Sequence, residues 1–202
     1  DKLSVVYTIN KSAKFSNGDK ITSNDVKFSY ETLISERAHP QYRIYWSDIK
    51  KIIILNDFKI KFVFKRVNPE LHMIIGDIPI FSSKWFKGKS FSQSILDAPI
   101  ASGPYKIRNY EFGRFIRYER DPNYWGNNLP TRKGMYNFDI IEFKYYKDMT
   151  VALEAFKAGE YDFIHENHSK RWARDYNGPN FTNNSIIKNE LAHQNNAGIQ
   201  GF

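Results

Sequence analysis

Residues 58–65 read Phe-Lys-Ile-Lys-Phe-Val-Phe-Lys, with Phe58, Ile60, Phe62 and Phe64 on one face and Lys59, Lys61 and Lys65 on the other. A period of two is the side-chain period of a strand, and no helix can collect those four apolar positions on one side. The pattern demands a sheet with one buried and one wet face. The aliphatic run Ile52 to Leu55 stands just before it across Asn56-Asp57, so residues 49–66 are expected to form a hairpin. The lysines read as a solvated face that discourages pairing with other chains.

Further elements follow from local chemistry. Leu3, Val5, Tyr7 and Ile9 alternate with Ser4, Val6 and Thr8, which predicts a half-buried strand. Phe15-Ser-Asn-Gly-Asp19 is a turn, because Asn-Gly supplies the positive φ that a tight reversal needs. Thr22-Ser-Asn-Asp25 matches a capping box, and Val26, Tyr30, Leu33 and Ile34 follow at helical spacing, so 23–36 is expected to be an amphipathic helix. A short helix is expected from Glu70 to Ile75, then a turn-rich stretch over 76–100 with a domain boundary near 98–102. Residues 105–107 and 115–118 form a second hairpin through Glu111 to Arg114. A strand spans 138–146. Asp148 caps a helix over 149–158 whose buried stripe is Val151, Ala152, Ala155 and Phe156, and Gly159 ends it. Tyr161 to Ile164 reads as another strand, parallel to 138–146. Together these elements define a mixed α/β chain.

Composition narrows the function. Of 202 residues, 41% are hydrophobic and 26% charged, which is globular. The longest aliphatic run falls far short of the roughly 20 residues that span a bilayer. With no cysteine, disulfides, thiolate nucleophiles and cysteine zinc sites are excluded, although the compartment is not fixed by this. The formal charge is +8, but the 20 lysines outnumber the 10 arginines and are scattered, which argues against nucleic-acid binding.

Reactive constellations are sparse. His165-Glu166-Asn167-His168 invites a metal reading, and a metal-assisted hydrolase using His165, Glu166 and His168 is the rival reading from the enzyme class. No third ligand stands at a standard spacing, however, and no nucleophile-elbow, Walker or dinucleotide-binding glycine motif occurs. The aromatic content is high: four Trp, thirteen Tyr and sixteen Phe. Tyr42, Tyr45, Trp46, Tyr124, Trp125, Trp172 and Tyr176 fall in predicted loops. Such rings either staple loops to the core or line a wide cleft that tolerates varied ligands.

The stretch FSNGDKITSNDVKFSYETL (15–33) resembles the pattern F-x-[DN]-G-x-x-[IV]-T-x-x-D-V-x-F-[ST] of the extracellular solute-binding proteins, family 5. SGPYKI (102–107), RYERDPNYWG (117–126) and VALEAFKAGEYDF (151–163) fall in that family's order and spacing. ENHSKRWARDY (166–176) is similar to the branch that receives oligopeptides and the peptide-nucleotide antibiotic microcin C. The resemblance implies a partial periplasmic-binding-protein-like fold: residues 1–98 as a small accessory domain and 99–202 as part of the first main lobe, ending near the hinge.

It implies further a non-catalytic, periplasmic, monomeric receptor with an oligopeptide ligand, an ABC permease as partner and no cofactor. A nickel- or dipeptide-binding member of the same family is the alternative. The segment after the Gly-Glu-x-Asp strand faces the ligand in the family, which points to His165, Glu166 and Asn167. Trp172, on a short helix, offers a ring, and Gly198, Gln200 and Phe202 belong to the strand leading to the hinge. Both chain ends look cut inside ordered structure, so a fragment of a larger protein is expected.

Overall fold

The computed structural model describes residues 3–89 and 97–190. In chain order the elements are β1 (Ser4–Thr8), α1 (Ser23–Leu33), α2 (Pro40–Tyr45), β2 (Ile49–Asn56), β3 (Lys59–Phe64), α3 (Leu71–Gly76), β4 (Tyr105–Glu111), β5 (Phe115–Arg120), β6 (Ile140–Lys144), α4 (Met149–Lys157), α5 (Ser169–Arg174) and α6 (Pro179–Thr182). They fall into two compact units, Asp1–Phe143 and Lys144–Phe202.

The first unit is organised by the alternating strand. β3 lies between β1 and β2 and is antiparallel to both. Ile60, Phe62 and Phe64 point inward at 1%, 1% and 5% exposure, as the lysine alternation requires. Tyr30 and Leu33 of α1, Trp46, Ile49, Leu71, Ile75 and Ile78 close over them in one core. Each large side chain buried there contributes about 1.5–3 kcal/mol of transfer free energy. Trp46, expected in a loop, directly follows α2. It is buried, stacks on Tyr42 and donates its indole N–H to the Ile74 carbonyl at 3.2 Å.

α1 buries a polar face as well as an apolar one. Ser23, Asp25 and Ser29 are all buried. The Asp25 carboxylate accepts from the Thr22 N–H at 2.9 Å, which caps the helix, and from the Ser83 N–H and O–H at 3.0 and 2.8 Å. Ser29 Oγ accepts from the Phe81 N–H at 2.7 Å. The helix thereby fastens the 81–83 segment, a long-range role that helical periodicity does not reveal. α1 stops at Leu33 rather than 36, where Ser35 turns its hydroxyl back on the Thr32 carbonyl at 2.7 Å.

The second sheet has the order β4-β5-β6. β4 and β5 are antiparallel across the expected hairpin, with Gly113 at φ +72° in its turn. Asp121 opens the next turn by accepting from the Asn123 N–H, and Trp125 donates to the Ser102 carbonyl at 3.0 Å. Trp125 also packs on Ala13, Phe15 and Ile21, so the conspicuous Asn-Tyr-Trp-Gly turn is a staple for the core.

In the second unit, Asp148 caps α4 as expected, accepting from the Thr150 and Val151 N–H groups at 2.9 and 3.0 Å. Gly159 ends the helix at φ +79°. The buried stripe differs from the expected one: Ala152, Leu153 and Ala155 are buried, whereas Val151 is 47% exposed. Residues 161–164 form no strand, so the expected parallel pair is absent among the described residues. Tyr161 instead donates its hydroxyl to the Ala152 carbonyl at 2.6 Å and lays its ring beside Phe156 and Tyr146. Side-chain packing on α4 has replaced a backbone ladder. No described helix is long and apolar enough to cross a membrane.

Candidate functional site

The chain leaves α4 at Gly159, passes through the extended stretch 161–168 and turns into α5 and α6. This path encloses an open cleft of about 630 Å³ within the second unit. His165, Glu166, Asn167 and Trp172, all expected to face a ligand, line it together. Phe156, Phe163, Tyr176, Phe181 and Ile187 supply its apolar wall, and Lys188 and Glu190 its rim. Gln200 and Phe202, with Gly198, lie outside the described residues.

Glu166 differs from its neighbours. Its side chain is only 2% exposed, and its carboxylate accepts from Arg171 Nε at 2.6 Å, Arg171 Nη2 at 3.2 Å, the His168 N–H at 2.6 Å and the Tyr176 hydroxyl at 3.2 Å. A carboxylate has about four acceptor sites, and all are occupied from within the chain. The Arg171 hydrogen bonds, followed by those of His168 and Tyr176, outweigh burial and hold the Glu166 carboxyl down at about 2. Tyr176 responds in the opposite sense. Burial first, then the adjacent Glu166 charge, pushes its phenol up to about 12.

That buried cluster fixes the loop from which His165 and Asn167 project. Both flanking side chains are exposed. Trp172, on the same helix as Arg171, is half-buried between Tyr176, 5.4 Å away by ring centroid, and the Lys188 ammonium, 4.4 Å from its ring centroid. Its indole N–H donates to Glu190. Lys188 also donates to the Trp172 carbonyl at 2.6 Å, which brings residues 187–190 over the cleft. Phe163 and Ile187, both lining the cleft, remain 79% and 81% exposed, an unusual state for such large apolar groups.

The sequence reading missed Arg171, Phe163, Ile187, Lys188 and Glu190. Arg171 had no periodic signal: it stands five residues after Glu166, off the i+3 and i+4 spacings of helical ion pairs, and Glu166 precedes α5. Ile187 to Glu190 had none, since a chain segment after a short helix can go anywhere. The metal reading of His165, Glu166 and His168 finds no support, because Glu166 is spent on Arg171. No grouping of three or more His, Asp or Glu suited to a metal ion occurs among the described residues.

The arrangement offers aromatic surface, an imidazole, a carboxamide and both signs of charge. Among the described residues that line it, no nucleophile, base and orienter stand in mutual contact. Solved proteins share the fold. AgaA of A. tumefaciens R10, in complex with agropinic acid, superposes with a TM-score of 0.72 at 23% identity over 88% of this chain and 35% of its own. AppA of Bacillus subtilis, an oligopeptide-binding protein in complex with a nonapeptide, gives 0.70 at 19% identity over 87% of this chain and 34% of its own. Both belong to the class of binding proteins, and the expected partial binding-protein fold is therefore present.

The chain belongs to the bacterial extracellular solute-binding proteins, family 5 (middle region), whose sequence pattern matches residues 1–199. Among curated relatives, YejA of Escherichia coli (strain K12) is 36% identical over 94% of this chain and 31% of its own length. The peptidoglycan-binding protein YepA of Agrobacterium fabrum (strain C58) is 29% identical over 98% of this chain and 34% of its own. The chain thus spans about a third of the length of these relatives.

Proposed function

We propose that this chain supplies one wall of an oligopeptide receptor that feeds an ABC importer. The observation that carries the reading is the exposed aromatic cleft of residues 156–190, held open by the Glu166–Arg171–Tyr176 cluster. His165, Asn167 and Trp172 meet the ligand, and Glu166 holds the loop that presents them. By the family resemblance Gln200 and Phe202 are ligand contacts as well. Residues 1–98 act as the accessory domain, and 99–202 as part of the first main lobe.

Capture in this reading comes from closure of a second wall over the ligand. Binding energy is realised in the shut state, and closure rather than chemistry is the working step. The receptor works in the periplasm as a monomer, without catalysis or cofactor, and hands its ligand to a membrane permease. Support comes from family membership and from the nonapeptide held by AppA.

One wall gives only part of the contact area, so the 202-residue chain should bind peptides weakly. Trp172 is the sole tryptophan beyond residue 143 and reports on the cleft. Titration with mixed tri- to octapeptides should shift its emission, saturating only at roughly millimolar concentration. The shift should vanish in Trp172→Phe and weaken in His165→Ala. Peptide mixtures that leave Trp172 emission unmoved at every concentration would count against the cleft. Calorimetric affinity of about micromolar or tighter would show that one wall suffices.

A further inference from the structure

Among the described residues, the β1–β3–β2 sheet is covered on one face only. The register places Ser4, Val63 and Lys51 in one row across the outer face, Val6, Lys61 and Ile53 in the next, and Thr8, Lys59 and Asn56 in the third. None of the nine is buried. The face carries three lysines and no carboxylate, and Lys51, Lys59 and Lys61 make no ion pair among the described residues. Lys59 and Lys61 stand two residues apart on one strand, roughly 7 Å. Like charges brought so close on one face repel, a cost that an anionic partner would remove.

We propose that this open face docks on a bilayer surface bearing anionic phospholipid. Val6, Ile53 and Val63 sit between the lysines, so short apolar groups can enter the headgroup layer while the lysine ammoniums reach phosphate along their aliphatic stems. Nucleic acid suits the face less well, because it offers no arginine fork and no aromatic ring for stacking. The charge is also regional: residues 1–100 hold 16 basic and 10 acidic side chains, against 14 and 12 in the remainder. This inference stands apart from the peptide reading and would survive its failure.

The test is co-sedimentation of the full chain with phosphatidylcholine vesicles, with and without phosphatidylglycerol. Binding is expected only to the anionic vesicles and should weaken as salt is raised. At roughly fivefold per lysine, the triple variant K51Q/K59Q/K61Q should bind about a hundredfold more weakly. A charge-matched control, K11Q/K133Q/K147Q, removes three exposed lysines elsewhere and should bind within about threefold of wild type. Far-UV circular dichroism checks that both variants fold. Equal losses in the two triples would reduce the effect to net charge and overturn the assignment. So would absent binding to anionic vesicles, including the case in which the chain self-associates through this face.

Discussion

Around β3 the chain keeps its order by excluding water, with Ile60 and Phe62 at 1% exposure and Leu71 at 2%. Past residue 143 the means are different. Among the described residues, Ala152, Leu153, Ala155 and Tyr176 are the buried apolar groups there, while Phe163 and Ile187 stay in solvent. Its loop order comes from a carboxylate with four donors. Order that rests on the burial of apolar groups does not itself titrate. A region held by a charge cluster around exposed rings leaves those rings in solvent, and it is sensitive to acid.

The contrast can be broken by experiment. The largest effect should come from Phe62→Ala, which empties the centre of the first core and costs about 3–5 kcal/mol. Urea unfolding followed through the tryptophans at 46, 85 and 125 measures it, and a loss under about 1 kcal/mol would deny that burial governs that region. Arg171→Ala should destabilise next most, because it leaves the Glu166 carboxylate enclosed without its main partner. Its effect should be confined to Trp172 emission and to hydrogen exchange of residues 164–176. Loss of protection in β1–β3 as well would merge the two regimes.

Asp25→Asn comes next, at about 1–2 kcal/mol, through weaker capping and a weaker hold on Ser83. Acid provides a sharper probe. Glu166 has a folded value of about 2 against an ordinary 4.5, so its stabilising contribution is complete above the ordinary value and is lost as pH falls from there toward 2. Each pH unit inside that window removes about 1.4 kcal/mol at most. Glu166→Gln should flatten the dependence seen through Trp172. The smallest effect is Trp172→Phe, which should change stability by under about 0.5 kcal/mol, because the ring is half-exposed and phenylalanine retains its packing on Tyr176.

The fold was legible where its determinants are local and periodic. The lysine–aromatic alternation of 58–65 settled strand and face together, and Thr22-Asp25, Asp148 and Gly159 marked helix ends by capping chemistry. The misses have common physical causes. α2 and α6 are too short to show a period. Tyr161 to Ile164 has strand composition, yet a strand needs a partner, and sequence spacing names none. Glu166 reads as an available carboxylate until the turn at 168–169 brings Arg171 and Tyr176 onto it. His165, Asn167 and Trp172 were named through family position rather than chemistry, whereas Ile187 to Glu190 reach the cleft through tertiary contacts alone.

The double attachment of Asp25 bears on the order in which the protein is completed as it leaves the ribosome. Its bond to the Thr22 N–H can form as soon as the first helix has emerged, but the bonds to Ser83 close over 58 residues. Until then a carboxylate destined for the interior must remain hydrated, with the neighbouring Ser29 hydroxyl still awaiting Phe81. Arrival of the 81–83 segment is thus the event that seals this helix, and a pause in translation before it would leave a nascent chain with its most polar seam open.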